Sequence, residues 1–388
     1  MNKKLFAILL IIAMLFGAGS VIVMSTSGVG GVKLLTGVEK EEYDLFRRKF
    51  AKSEQLLEYI TENYYQPVDE AKLLEGSYYG MFDALEDQYS EYVEAKDSES
   101  FQNDMSMEYT GIGMVFFMNE EGLPEVESVY IDSPAEKAGI KAGDNVLRVD
   151  NEDIKDQDST EIRDKVRGPV GTTVNLEMRR GDKVFVVSVK REKLSEITVA
   201  CEKLAGEDIG YIQITGFGTS TASEFRTALT QMENEGVASL IIDLRNNGGG
   251  LVNSAIEVAD MLMDKGTVVY AEYQDGSREY YNTEDGRTKL PYVLLVNEYT
   301  ASASEILAAG VQGNNEGKIV GSKTFGKGII QSAVQMSDGS ILKITITQYF
   351  GPSGNKIHKE GITPDYVIDL TADDVEDVQL LKAIEVLK

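Results

Sequence analysis

Ser302 and Lys327 stand in settings that suit bond cleavage without histidine. The chain has one histidine, His358, and one cysteine, Cys201. A cysteine nucleophile would have only that histidine to activate it, so Cys201 reads as a small core residue. Ser302 heads Ser302-Ala303-Ser304-Glu305, in front of the apolar Ile306-Leu307. Ser-x-x-Glu is a capping box, and a serine there serves equally as a plain helix cap. The same position also offers free backbone amides and the positive end of a helix dipole, which favour developing negative charge. Ser304 is a rival nucleophile, and local pattern does not separate the two. Lys327 lies between Gly326 and Gly328, among Phe325, Ile329 and Ile330. On a strand, Lys327, Ile329 and Gln331 share one face. An exposed lysine there would have no special chemistry. A buried one loses solvation of its charged form, and acting as a base near neutral pH requires roughly 4 kcal/mol of such bias. Gln331 can orient the amine by accepting its hydrogen bond without adding a charge that would hold the proton on.

Asn246-Asn247-Gly248-Gly249-Gly250 offers a third piece. Glycines let a backbone approach a ligand closely, and the segment suits an oxyanion hole or phosphate binding. No Gly-Lys-Ser/Thr follows, which argues against a P-loop. An ordinary strand-to-helix turn is the plain alternative.

The elements that must position these residues run from Leu194 to about Leu370, as alternating strands and helices. Strands are expected over Ile209–Thr215, Leu240–Leu244 and Tyr292–Val296. The run Leu240-Ile241-Ile242-Asp243-Leu244 is interrupted only by Asp243, as for a strand buried on both faces. Thr221-Ala222-Ser223-Glu224 opens a helix by the capping-box pattern, and another spans about Val252–Met263. Asp373–Leu387 reads as a short acidic amphipathic helix.

Upstream, from about Tyr109 to Arg191, short strands alternate with turn residues. Strands are expected over Gly111–Phe117, Glu125–Ile131, Asn145–Val149, Thr173–Arg179 and Lys183–Lys190. Ser133-Pro134-Ala135-Glu136 starts one helix and Asp158-Ser159-Thr160-Glu161 another. This order, with Tyr109-Thr110-Gly111-Ile112-Gly113, Ser133–Ile140 and Gly143-Asp144, resembles a PDZ domain. The resemblance implies that an extended peptide adds to the first strand beside the second helix. The amides of Gly111, Ile112 and Gly113 would take its terminal carboxylate. A β-domain serving only as a spacer is the bland alternative. Arg167 reads as an exposed structural arginine or as a ligand sensor.

Glu39 to about Glu108 reads as helical, with Phe46, Phe50, Leu56, Leu57, Ile60 and Tyr64 at helical spacing. It carries no recognisable chemistry and suits docking or dimerisation. Asn2-Lys3-Lys4 precedes an uncharged run from Leu5 to Met24, about long enough to span a bilayer. Ala18-Gly19-Ser20 is a poor cleavage site, so a retained signal anchor is expected, with the remainder outside the cytoplasm; cleavage would make the protein secreted. Ser25–Gly37 reads as a linker. The net charge of −26, with no dense Lys/Arg block beyond the N-terminus, argues against nucleic-acid binding. One cysteine excludes an intrachain disulfide framework.

Taken together, Asp243–Gly250, Ser302–Ile306, Gly321, Thr324–Gly328, Gln331, Asp338-Gly339-Ser340 and Gly361–Asp365 resemble the carboxyl-terminal processing peptidases, the tail-specific serine proteases. One departure is Gly248, where many relatives have proline. The resemblance implies an α+β multidomain chain: an N-terminal helical region, a PDZ-like β-domain with two helices, and a crotonase-like α/β protease core. The divisions would be 1–27 signal anchor or signal peptide, 28–38 linker, 39–108 helical region, 109–192 PDZ domain, 193–370 core and 371–388 C-terminal helix. It implies Ser302 as nucleophile, Lys327 as general base, Gln331 as support, and the amides of Ala303 and Gly249 as oxyanion donors. No metal or cofactor is implied. The partners implied are protein substrates bound through their C-terminal tails, a second copy in a homodimer, and the membrane through the N-terminal segment. The location implied is the extracytoplasmic side of a bacterial cell membrane. The alternatives are a catalytically silent PDZ adaptor and a crotonase-type small-molecule enzyme, the latter lacking an acyl-CoA-binding signature.

Overall fold

The computed structural model describes residues 21–24, 32–35, 37–284, 286–371 and 374–388. The chain separates into two compact units, Met1–Ala84 and Leu85–Lys388. In the first, strand β1 (Val21–Met24) pairs antiparallel with β2 (Val32–Leu35). Helices α1 (Gly37–Asn63) and α2 (Glu70–Asp83) follow. Asp69 starts α2 by accepting from the Ala71 and Lys72 amides, which satisfies N–H groups the helix itself cannot.

This unit corrects the membrane expectation. Residues 1–20 of the apolar run lie outside the described residues. Its end, Val21–Met24, is a strand rather than the end of a spanning helix. The β-branched Val21-Ile22-Val23 favours that extended pairing. Among the described residues no helix is long and apolar enough to cross a membrane. The signal anchor, transmembrane helix, membrane contact and anchored extracytoplasmic location therefore do not stand. Part of the expected linker is also structured, as β2.

The second unit opens with β3 (Glu91–Val93), α3 (Ser98–Ser106) and β4 (Glu108–Gly111). A PDZ-like sheet follows: β5 (Met114–Met118), β6 (Pro124–Val129), α4 (Pro134–Lys137), β7 (Asn145–Val149), β8 (Glu152–Asp153), α5 (Ser159–Val166), β9 (Thr173–Arg180) and β10 (Lys183–Lys190). The expected strand from Gly111 is broken at Ile112-Gly113, where Gly113 takes φ 77°. The sheet order is β10-β9-β7-β6-β5, so β5 is an edge. Val126, Val146, Val174, Leu176 and Met178 bury their side chains against Ile162 of α5 and Ala135 of α4. Burial on alternate positions, as in Val174, Leu176 and Met178, is the period of a half-buried strand. The chain returns through β11 (Glu192–Ser195), which pairs antiparallel with β4. This two-stranded ribbon carries both connections between the PDZ-like sheet and the core.

The core contains β12 (Val199–Lys203), β13 (Ile209–Ile214), α6 (Thr221–Asn234), β14 (Ser239–Asp243) and α7 (Val252–Leu262). Then come β15 (Gly266–Tyr273), β16 (Arg278–Thr283), β17 (Tyr292–Val296), α8 (Ala303–Asn314) and β18 (Lys318–Gly321). The last elements are β19 (Ile329–Gln335), β20 (Ile341–Phe350), β21 (Tyr366–Val367) and α9 (Val378–Leu387). One sheet runs β12-β13-β14-β17-β18-β21, parallel except at β12. Leu240 and Ile242 face α6, α7 and α8, while Ile241 faces α9 on the other side. Burial on both faces explains the continuous apolar run. A second, antiparallel sheet runs β16-β15-β20-β19, with β3 added to β20. The polar interruption, Asp243, is paired: Arg245 donates to both its oxygens and reaches Asp377 and Gln379 at the start of α9. The expected Thr221 cap differs, since Ser220 is the cap position and Glu224 instead accepts from the Thr198 and Val199 amides.

Candidate active site

Ser302 precedes α8 with φ 58° and ψ −117°, a left-handed backbone that non-glycine residues seldom adopt. Its neighbours hold it there. Its N–H donates to Glu305 Oε2 at 3.0 Å, and its carbonyl accepts from the Glu305 and Ile306 amides. The Ala301 N–H donates to the Asn247 carbonyl at 3.0 Å. Ser302 and Glu305 thus have a capping-box arrangement, in which the Ser302 oxygen serves only as an acceptor, and its hydroxyl donates to no group among the described residues. Ser304 differs: it is fully buried, and its hydroxyl donates to the Asn247 carbonyl at 3.1 Å. Ala303 occupies the first helical position, where an N–H has no intrahelical acceptor.

Lys327 is not on a strand, contrary to the sequence expectation, because β19 begins at Ile329. Glu305 takes its amide instead. This carboxylate is fully buried and accepts from Thr324 Oγ1 at 2.6 Å, Gly326 N at 2.7 Å, Lys327 N at 2.8 Å and Ser302 N. Burial pushes its carboxyl above the ordinary range, and the four donors pull it back part of the way. Tyr349, fully buried in β20, places its hydroxyl 2.9 Å from the Ser302 carbonyl and 2.6 Å from that of Lys327. Burial raises this phenol far above its usual range, so it stays a neutral donor. One carboxylate and one phenol therefore fix the backbones of both residues.

Ser302, Lys327, Gln331 and Gly248–Gly250 line one cavity of about 360 Å³, with Met105, Met107 and Lys343 among its other walls. Lys327 Nζ rests 4.8 Å from the centre of the Tyr89 ring, and no hydrogen bond joins it to Ser302 in this state. Its ammonium is destabilised by burial first and by Lys343 second; Asp87 and Glu305 act the other way, and the net effect lowers its pKa. Gln331 does not reach the amine. The β19–β20 register shifts between Ile330 and Gln331, and the Gln331 amide donates to Thr345 Oγ1 at 3.2 Å. Thr345 in turn donates to Asp87 Oδ2 at 2.7 Å. Burial pushes the Asp87 carboxyl up, but hydrogen bonds from Ser90, Thr345 and the Tyr89 amide outweigh it and hold the pKa low.

Gly249 takes φ 103°, and a side chain there would meet the Ala301 carbonyl and Ser302 Cβ at 2.8 Å and Ala303 N at 2.9 Å. Only glycine allows that approach. Its N–H donates to Asn247 Oδ1 at 2.9 Å and must leave that acceptor to serve a ligand. Asn247, fully buried, also donates to the Ile214 carbonyl. Sequence reasoning gave no role to Asn247, Tyr349, Asp87 or Tyr89. For Tyr89 the sequence does carry a signal, its place in the aromatic-rich Gln88-Tyr89-Ser90-Glu91-Tyr92. Among the described residues no cluster of His, Cys, Asp and Glu is arranged to hold a metal.

The PDZ-like part holds a second cavity, a groove of about 410 Å³ between β5 and α5. Gly111, Ile112 and Gly113 are among its lining residues. Arg167 stacks on Tyr109, its guanidinium carbon 4.9 Å from the ring centre.

Residues 208–368 match peptidase family S41, residues 125–180 a PDZ domain, and residues 18–97 the activating protease CtpB N-terminal domain. The carboxy-terminal processing protease CtpA of Bacillus subtilis (strain 168) is 36% identical over 371 residues, 95% of this chain and 77% of that protein. The chain belongs to the carboxy-terminal processing proteases of peptidase family S41. Carboxy-terminal processing protease CtpB of the same organism is 32% identical over 386 residues, 95% of this chain and 78% of that protein. The solved structure of a photosystem II D1 C-terminal processing protease aligns with TM-score 0.50 and 28% identity, over 87% of this chain and 92% of that one. This S41 protease is a serine-type endopeptidase with an embedded PDZ domain.

Proposed function

We propose that this protease captures the C-terminal tail of a protein in the β5–α5 groove and cuts the chain at Ser302. The observation that carries the reading is the strained Ser302, whose hydroxyl proton has no acceptor among the described residues, at a helix N-terminus and in one cavity with a lysine whose charged form is disfavoured. Lys327 moves off Tyr89 and takes the hydroxyl proton as Ser302 Oγ attacks the peptide carbonyl carbon. The oxyanion is held by the Ala303 N–H and by the Gly249 N–H once it leaves Asn247. The C–N bond then breaks, and Lys327 returns its proton to the departing amine. Water, deprotonated by Lys327, hydrolyses the acyl-enzyme and restores Ser302. Gln331 is assigned to steady the neutral amine after this movement.

The β4–β11 ribbon is the route by which the PDZ domain gates cutting. Tyr109 and Gly111 on it border the tail groove, and Met105 and Met107, a few residues earlier, border the catalytic cavity. We assign the core, residues 193–370, to the crotonase-like class on its strand–helix alternation, with 39–108 as the helical region, 109–192 as the PDZ domain and 371–388 as the C-terminal segment. Ser302→Ala against Ser304→Ala tests the nucleophile. Loss of proteolysis in the first, with folded protein, is the expected result; full activity in the first and loss in the second would overturn it.

A further inference from the structure

Gln331 can steady the amine of Lys327 only if it turns the correct end toward it. A side-chain amide has an oxygen acceptor at one end and an NH₂ donor at the other. The two ends act oppositely on a base. An oxygen accepts an N–H of the neutral amine and leaves the nitrogen lone pair free for the Ser302 proton. An NH₂ would donate to that lone pair and occupy it.

A chain of hydrogen bonds chooses the end. Gln331 on β19 and Thr345 on β20 are partners across the sheet, and the Gln331 amide donates to Thr345 Oγ1 at 3.2 Å. Thr345 Oγ1 donates to Asp87 Oδ2 at 2.7 Å. A hydroxyl has one proton, so Thr345 has only lone pairs left for Gln331. Flipped, Gln331 would set its oxygen against the Thr345 oxygen with no proton between them. Ser90 does not alter this, because its hydroxyl also donates to Asp87 Oδ2, at 2.6 Å, while its oxygen accepts from the Thr345 amide at 2.9 Å. The other Asp87 oxygen accepts from the Tyr89 amide at 3.1 Å. An ionised carboxylate accepts and never donates, and against burial these donors hold the Asp87 pKa low. The direction set at Asp87 therefore passes through Thr345 to Gln331. It leaves Oε1 as the open acceptor of a side chain that lines the cavity with Lys327 and Ser302.

We infer that Asp87 and Thr345 are positioning residues for peptide cleavage: they fix the direction of the Gln331–Thr345–Asp87 chain so that Gln331 offers Lys327 an oxygen and not an NH₂. This rests on the assignment of Gln331 to the neutral amine and explains how that assignment is enforced. Asp87→Asn turns the chain round. The Tyr89 amide keeps the oxygen, the NH₂ falls where Oδ2 stood and donates to Thr345, and the Thr345 proton turns to Gln331.

The test is kcat of the full chain on a short peptide, read on the pH plateau, where the charge effect of Asp87 on Lys327 drops out. Thr345→Val, which keeps the β-branched shape, and Asp87→Asn should each lower kcat about tenfold, the weight of one oriented hydrogen bond. Thr345→Ser keeps the hydroxyl and should recover most of that loss. Gln331→Leu should lower kcat as well, and neither change should lower it further in that background, because residues that act through Gln331 then have nothing to act on. Full kcat in Thr345→Val or Asp87→Asn, or an equal further loss in the Gln331→Leu background, would overturn this inference alone. Full kcat in Gln331→Leu would overturn the role of Gln331 beneath it.

Discussion

At the residue scale the catalytic question is what disfavours the charged form of a lysine. Burial does most of this for Lys327, and Lys343 adds to it by repelling the ammonium. Asp87 and Glu305 oppose both. The acid limb of kcat/KM reports the base in the free enzyme, and the sign of each change follows. Lys343→Gln removes repulsion, favours the ammonium, and should move that limb to higher pH, lowering activity near neutrality. Asp87→Asn removes attraction and should move it to lower pH. A pH–rate profile for each variant checks the pair; shifts in the opposite senses would mean that another group is the base. Ser302 and Lys327 could be singled out as candidates in the sequence because their motifs are local. Tyr349 could not, because its role comes from two carbonyls that only the fold brings together.

At the element scale the site is a joint between α8 and the segment leading into β19, closed by Glu305. A side-chain amide cannot replace that carboxylate. One oxygen of Glu305 serves Thr324 and Gly326, the other Ser302 and Lys327, and an NH₂ in either place would face two donors. Glu305→Gln should therefore cost about 2–3 kcal/mol of stability, measured by chemical denaturation, and should also lower kcat by displacing both backbones. Unchanged stability would remove Glu305 from this role. The capping-box pattern predicted Glu305 at the helix start, but the sequence could not show that the same carboxylate reaches residues 324–327. Strand periodicity placed Lys327 and Gln331 on one face; the late start of β19 and its register shift at Ile330/Gln331 undo that phase, since a one-residue slip reverses the face. The buried strands β14 and β17 were legible because burial on both faces leaves unbroken apolar runs. β3 was hidden in a stretch that reads as helical, and its pairing to β20 carries Tyr89 and Asp87 to the lysine.

At the scale of the whole molecule, the proposed capture and cutting sites are different cavities, so the two activities should separate experimentally. A side chain at Gly113 would require φ 77° and meet Ser133 Cβ at 2.4 Å, deforming the loop that receives the tail. Gly113→Ala should lower kcat/KM for a tailed protein, about tenfold for each 1.4 kcal/mol of lost tail binding. Cleavage of a short untailed peptide should stay unchanged. Equal losses on both substrates would mean that the groove is not the capture site. The glycine loops at Gly111–Gly113 and Gly248–Gly250 were legible because they depend on local turn chemistry. The N-terminal apolar run misled because hydropathy alone does not distinguish a spanning helix from the β-branched strand formed at its end. The central claim, a lysine-dependent serine protease, is tested most directly by degradation of a protein with an apolar C-terminal tail, comparing the unmodified chain with Lys327→Ala. The account predicts cleavage by the first and none by the second, with tail binding retained in both. Cleavage by Lys327→Ala at the unmodified rate would contradict it.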